Sequence, residues 1–192
     1  MPESVWLMPL KNLDDDARAI KLGEIAGLEV TEEQRRYVGE PLRMMLIGLE
    51  EESRHPVAID AKGAAVGVLT LQTGAGTLAG WPDDDSVWLL RGFLIDRRLQ
   101  GRGLGALAAD AAVRAAAKLT AALGGDQTGV VLSVNEENPA GQAAYRKAGF
   151  EDRGQYLGGD AGPQRTMYRP FRTVSPADRP PSTFIDDRAA VI

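Results

Sequence analysis

An α/β fold built on one mixed sheet is what this 192-residue sequence predicts, and three observations predict it. Ser86 to Ile95 and Gly129 to Val134 are nearly unbroken apolar runs, with the length and composition of strands buried on both faces. Between them Leu104 to Leu123 is dominated by Ala and Leu, the best helix formers, and Gly124-Gly125 stops it. The order along the chain is one strand, helices, a β-meander, then β-α-β-α-β-β, and a sheet assembled that way is mixed.

The elements follow in order. Val5 to Pro9 reads as a short first strand. Asp14-Asp15-Asp16 come next, and acids in a first turn suit the positive end of a helix running to about Leu22. Thr31-Glu-Glu-Gln34 has the form of a capping box. Pro41 interrupts this second helical stretch, which resumes from Leu42 to Glu51 with apolar residues at Leu42, Met45, Leu46 and Leu49. Val57 to Asp60, the turn Ala61-Lys62-Gly63 and Ala64 to Gln72 make a hairpin. A Gly-, Pro- and Asp-rich loop, Gly74 to Asp85, leads into the first buried strand. Pro139 to Ala148 is a helix with Asn138 as N-cap, Pro in its first turn and Gly149 at its end. Glu151 to Leu157 and Gln164 to Phe171 form a final strand pair. Val174 to Ile192 contains Pro176, Pro180 and Pro181 and has no periodicity, so it reads as an irregular C-terminal tail. The expected division is one domain over residues 1–173 and a tail over 174–192.

Composition limits the chemistry. Cys is absent, which excludes disulfides, thiol nucleophiles and Cys-ligated metal sites. One His excludes most imidazole-built metal centres, so no metal is expected. A Ser–His–Asp relay would depend on His55 alone, and Glu-Ser-Arg-His-Pro reads as a surface loop. The longest apolar stretch, Ala64 to Leu71, is far short of the roughly 20 residues a membrane helix needs. The N-terminus lacks the basic and apolar regions of a signal peptide, and with no Cys the expected compartment is the cytoplasm, without a membrane partner. The net charge of −5 argues against nucleic acid as a partner. The charge is uneven: residues 1–96 carry nine basic and seventeen acidic groups, and residues 97–192 carry thirteen and ten. An acidic half beside a basic one suits a cationic substrate and an anionic cofactor.

The sharpest motif is Phe93-Leu-Ile-Asp-Arg-Arg-Leu-Gln-Gly-Arg-Gly-Leu-Gly105, an apolar strand running into a glycine-rich turn that opens a long helix. Glycines let the backbone approach a ligand and turn its N–H groups inward, and the helix adds the positive end of its dipole. Physically this is an anion or phosphate cradle, with Arg97, Arg98 and Arg102 around it to pair with further phosphates. Gly101-x-Gly103-x-x-Ala106 formally satisfies a dinucleotide fingerprint. That fingerprint needs an acidic residue about 20 positions on, where this chain has Ala-Ala-Leu-Gly-Gly at 121–125.

A second reading of the same turn is carried by two blocks. Gln100-x-x-Gly103-x-Gly105 after a hydrophobic strand resembles the acetyl-CoA pyrophosphate loop of the GNAT (GCN5-related) N-acetyltransferases. Leu132-Ser-Val-Asn-Glu-Glu-Asn-Pro-Ala-Gly-Gln-Ala-Ala-Tyr-Arg-Lys-Ala-Gly-Phe150 resembles the ending of that family, where an Asn begins a helix and a Tyr seven residues later precedes Lys-x-Gly-Phe. The blocks stand in the family's order, and the strand pattern agrees from about residue 4 to 171.

The resemblance implies a GNAT-like, mostly antiparallel central sheet flanked by helices, with acetyl-CoA as co-substrate. Phe93, Leu94 and Ile95 would lie on the splayed central strand, pairing through their backbone with the pantetheine arm. Gln100, Gly101, Arg102, Gly103, Leu104, Gly105 and Ala106 would hold the pyrophosphate through main-chain N–H groups. Asn138 would lie beside the pantetheine, and Tyr145 would protonate the leaving thiolate, a phenol of pKa about 10 being a reasonable donor to it. The implied activity is direct acetyl transfer to a small primary amine. Leu28 to Val38 and Val87 to Asp96 look most like bacterial polyamine-type acetyltransferases, so spermidine or spermine is the favoured amine and a homodimer the expected assembly. Many family members carry a Glu as base two residues before the position of Phe93; here that residue is Arg91, which leaves the base unassigned. Asp83 to Asp85 are candidates to orient an ammonium group. A GNAT-like module that binds CoA without turnover is the alternative function.

Overall fold

Asp14 and Thr31 start the first two helices for the same reason: each side-chain oxygen accepts a backbone N–H that the first helical turn leaves unpaired. A computed structural model of the chain describes residues 4–159 and 162–171. In it Asp14 accepts from Ala17 N–H at 2.8 Å and opens α1 (Asp15–Ala26), a turn longer than its sequence suggests. Thr31 opens α2 (Glu32–Val38) with both halves of the capping box in place, Gln34 N–H to the Thr31 hydroxyl at 3.0 Å and Thr31 N–H to the Gln34 amide oxygen at 2.9 Å. Pro41 then begins α3 (Pro41–Glu50) at its first turn, where a missing N–H costs nothing.

Seven strands make one sheet: β1 (Trp6–Pro9), β2 (Arg54–Ala61), β3 (Ala64–Gln72), β4 (Trp88–Ile95), β5 (Gly129–Asn135), β6 (Glu151–Tyr156) and β7 (Gln164–Pro170). Their order is β1-β2-β3-β4-β5-β7-β6. Every neighbouring pair is antiparallel except β4 and β5, which the crossover helix α4 (Leu104–Leu123) makes parallel. The short helix α5 (Pro139–Lys147) follows β5.

Strand alternation divides the core. On one face Leu69, Leu71, Trp88, Leu90, Val130 and Leu132 pack against the Ala-rich side of α4, whose Ala108, Ala109, Ala112 and Ala116 are fully buried. The other face has two separate coverings. Helices α1 to α3 lie over Ala58, Val68 and Leu94 through Ile25 and Met45. The 74–86 loop lies over Leu89, Val131 and Tyr168 through Ala75, Ala79 and Trp81, whose ring stacks on Tyr168 with centroids 4.4 Å apart.

One local expectation is corrected. His55 stands inside β2, half-buried, its ring edge-on to Trp88 at 5.2 Å, where burial and then the Lys11 charge lower its pKa. Pro56 made the segment read as a loop, but the β1 ladder ends at Pro9–Val57, so its missing N–H costs no bond on that side. The expected tail, residues 174–192, lies outside the described residues. Among the described residues, no helix is long and apolar enough to cross a membrane.

Candidate active site

The parallel pair at the centre of the sheet is short. Trp88 faces Val130 and Leu89 faces Val131, and beyond them β4 and β5 share no further pairs although both strands continue. The strands therefore part toward their C-terminal ends. This leaves the main chain of the β4 end, Phe93, Leu94 and Ile95 included, without a neighbouring strand on its β5 side. Leu94 and Ile95 bury their side chains in the two opposite core faces, so neither side chain fills the opening. An open strand edge accepts an extended, amide-bearing chain.

The glycine cradle sits at the mouth of this opening. Ile95 ends β4, a single 3₁₀ turn (Arg97–Leu99) follows, and Gly101 and Gly103 both take left-handed φ, +76° and +83°. Gly103 is the N-cap of α4 and supplies no side-chain acceptor, so the helix opens with its first amides uncapped by any side chain. Leu104 and Ala106 turn their side chains into the core, while Gly101 and Arg102 are exposed. The turn thus presents N–H groups and little else. Lys147 adds a cation from α5, its Nζ 4.0 Å from where a Cβ on Gly103 would stand. The Lys-x-Gly-Phe motif contains Lys147 but does not indicate this position, which depends on how α5 packs on α4.

Tyr145 reaches the same region from α5. It is half-buried between Phe93 of β4 (centroids 5.7 Å) and Phe150 (5.8 Å). Burial pushes its phenol well above the ordinary value, so it holds its proton. The pKa of about 10 assumed from sequence is therefore corrected upward. The hydroxyl remains a hydrogen-bond donor, with a weaker tendency to release the proton. Asn138 is spent partly on architecture, accepting Gly141 N–H at 2.8 Å as the N-cap of α5. Gln100 turns its amide back to donate to the Ile95 carbonyl at 3.1 Å, and Gln34 of α2 donates to the same oxygen at 3.1 Å, so side chains from both sides fix the strand end.

Two sets of charges have other tasks than those expected. Arg97 pairs with Glu29 at 2.8 Å, and Arg98 pairs with both Glu29 and the buried Asp96. Asp96 is 1% exposed and accepts from Arg98 N–H, the Arg98 guanidinium and Glu29 N–H. These arginines fasten the approach to α2 onto the turn before the cradle; Arg102 remains beside it, and no salt bridge among the described residues engages it. Asp83 and Asp84 close their own loop. Asp83 accepts from Asp85 N–H, Ser86 N–H and the Ser86 hydroxyl, and Asp84 from Thr77 N–H and its hydroxyl. Those bonds hold both carboxyls below the usual range. They are Asx-type turn devices in the first instance.

The fold is thus a mixed seven-stranded sheet that parts at its single parallel pair, with a glycine-opened helix behind the gap. The pattern of the Acetyltransferase (GNAT) family matches residues 29–150, most of the chain, and the protein belongs to that family. No curated protein sequence is similar enough to count as a relative. Among solved structures, AAC(6')-Ib in a complex holding acetyl-CoA superposes with a TM-score of 0.66 at 20% identity, covering 90% of this chain and 99% of that one. Spermidine N-acetyltransferase from Vibrio cholerae, with CoA and spermine, gives 0.60 at 16% identity over 88% and 96%. An acetyltransferase from Thermus thermophilus gives 0.56 at 21% identity over 87% and 97%. At these identities the likeness is one of fold.

Proposed function

We propose that this protein is an acetyl-CoA-dependent N-acetyltransferase that moves an acetyl group by direct transfer to a small primary amine. The observation that carries the reading is one coincidence of geometry. The gap left where β4 and β5 part after Leu89–Val131 opens onto the uncapped amides at Gly103. A ligand with an extended amide arm and a diphosphate at its end fits that pair of features, and solved structures of the same fold contain acetyl-CoA or CoA.

Acetyl-CoA, when bound, supplies an acetyl group activated as a thioester. The chain's own groups do the rest. Main-chain groups of Phe93, Leu94 and Ile95 pair with the arm, and the amides from Gly101 to Ala106 hold the diphosphate, with Gln100 bracing the turn and Arg102 and Lys147 adding positive charge. Asn138 borders the arm from the start of α5. A β4 N–H on the open edge polarises the carbonyl oxygen lying in the gap. The amine attacks as the free base, the C–S bond breaks as C–N forms, and the proton shed by nitrogen ends on the departing sulfur; Tyr145, kept protonated by its raised pKa, donates a hydrogen bond to that sulfur. The acidic N-terminal half draws cationic amines toward the site, which supports polyamines as members of the acceptor class. Within this reading residues 1–173 form the transferase domain, 174–192 a tail, and the working assembly is a homodimer in the cytoplasm.

Arg91, standing where a carboxylate base is common, favours a second reading, a module that binds CoA without turnover. Acetyl-CoA consumption over a panel of amines, beside CoA binding by calorimetry, separates the two. Turnover with at least one primary amine supports the transferase; tight CoA binding with no turnover on any amine supports the module.

A further inference from the structure

We infer that Arg91 is a specificity-determining residue, and that among the cationic amines the site takes it prefers those carrying an anionic group of carboxylate type near the amino group. The inference rests on the acetyl-transfer reading above and narrows it.

Arg91 lies on β4 two residues past Leu89, the last residue paired to β5, and so stands at the fork of the splay. It is on the face where α1 to α3 and the 74–86 loop form separate coverings, the first over Leu94 and the second over Leu89. Between those coverings the face is polar: Thr70 and Gln72 are buried there, and Arg91 and Gly92 are half-buried. An acceptor reaching the gap from this face passes the Arg91 side chain.

The guanidinium is held but not neutralised. Its Nη1 donates to the Gln72 amide oxygen at 3.0 Å, and among the described residues no carboxylate forms an ion pair with it. Five donors in a planar fork leave most of its hydrogen-bonding capacity unassigned. The charges that act on it are Arg54, which adds positive potential, and Glu51, which opposes it but is itself paired with Arg54 at 2.8 Å. Fixing a half-buried cation beside a neutral amide, with a second cation close by, makes a site that attracts a carboxylate and repels an ammonium group. Long-range and local fields thus act differently. The acidic half of the chain gathers cationic molecules, and Arg91 selects among them those whose amine is accompanied by a carboxylate. A diamino acid satisfies both, whereas a pure polycation satisfies only the first.

The test compares pairs of acceptors that differ only in the carboxylate: L-lysine against cadaverine, and L-ornithine against putrescine. In the wild type, kcat/KM is expected to be at least about tenfold higher for the amino acid of each pair. Arg91→Gln should bring the ratio near unity, chiefly by raising KM for the amino acid, and Arg91→Glu should invert it toward the diamine. Arg91→Lys keeps the charge but not the fork and should retain part of the preference, which guards against a variant that merely fails to fold. CoA affinity measured in parallel reports whether the cradle is intact. Wild-type preference for cadaverine and putrescine, or a ratio unmoved in an Arg91→Gln protein that still binds CoA, overturns the inference and leaves acetyl transfer standing. CoA binding with no amine of either kind acetylated overturns the transferase reading, and this inference with it.

Discussion

The rings of Phe93 and Tyr145 lie 5.7 Å apart at a tilt of 45°, so the phenol of the candidate site is packed directly on the strand whose open edge forms the gap. A residue of α5 is thereby held in register with β4, with no ladder between β4 and β5 at that point. Tyr145→Phe keeps this packing and removes only the hydroxyl. The expected result is a fall in kcat of about 10²-fold with CoA affinity nearly unchanged. Because burial raises its pKa, the phenol stays protonated, and no loss of activity from its ionisation is expected below about pH 10. A pH–rate profile of wild type beside the variant checks both points. Equal kcat in the two proteins removes Tyr145 from the chemistry.

Two glycines of the cradle should fail differently. Gly103→Ala forces a side chain into a left-handed φ of +83° and should destabilise the fold by about 1–2 kcal/mol as well as weaken CoA binding. Gly105 lies within the helix, and a Cβ there would meet Ala144 Cβ at 3.7 Å, an ordinary contact. Gly105→Ala should therefore leave stability level or raise it by up to about 1 kcal/mol. It should still weaken CoA binding about tenfold by crowding the amides. Thermal melts and calorimetric titration together show whether stability and affinity separate in this way.

Lys21 and Asp60 form a buried ion pair at 2.7 Å, each residue 8% exposed, with Glu24 completing the cluster. Burial opposes the Lys21 charge, but hydrogen bonds to Asp60 and Glu24 outweigh it and raise its pKa. Asp60→Ala leaves the ammonium with Glu24 alone and should cost about 3–5 kcal/mol. The double replacement Lys21→Met with Asp60→Leu should cost clearly less, since no charge of the pair is then buried. Urea unfolding of the three proteins measures it; an Asp60→Ala protein as stable as wild type would show the pair to be superfluous.

Asp96 governs an acid-sensitive contact. The Arg98 side chain, then backbone N–H groups of Arg98 and Glu29, hold its carboxyl below the usual range despite burial. A folded pKa below the unfolded one contributes stability that is complete above about pH 4 and is lost as pH falls through the folded value. Asp96→Asn should therefore lower Tm at neutral pH, by an amount corresponding to about 1–3 kcal/mol, and differ less from wild type near about pH 3. A pH-independent gap between the two melting curves would contradict this linkage.

Residues acting on near neighbours were legible in the sequence. The capping box at Thr31 and Gln34, the Asn138 cap, the Gly124 stop and the glycine turn that opens α4 at Gly103 all form as read, because each depends on bonds within a turn of itself. The partners of Arg97 and Arg98 within the fold were not legible, for the opposite reason. Adjacency to a glycine turn suggested phosphate ligands, whereas their partners Glu29 and Asp96 are set by where the segment before α2 docks. His55 misled through Pro56, whose tolerance depends on where β1 stops pairing.

Sequence by itself determined the elements, their order, the glycine turn before α4 and the family resemblance, since periodicity, caps and turn chemistry are local. Tertiary structure decided where β4 leaves β5, which charges are spent on the scaffold, and that Arg91 stands at the fork with no carboxylate paired to it among the described residues. Those are properties of distance and burial between segments far apart in the chain, and no local pattern of residues encodes them.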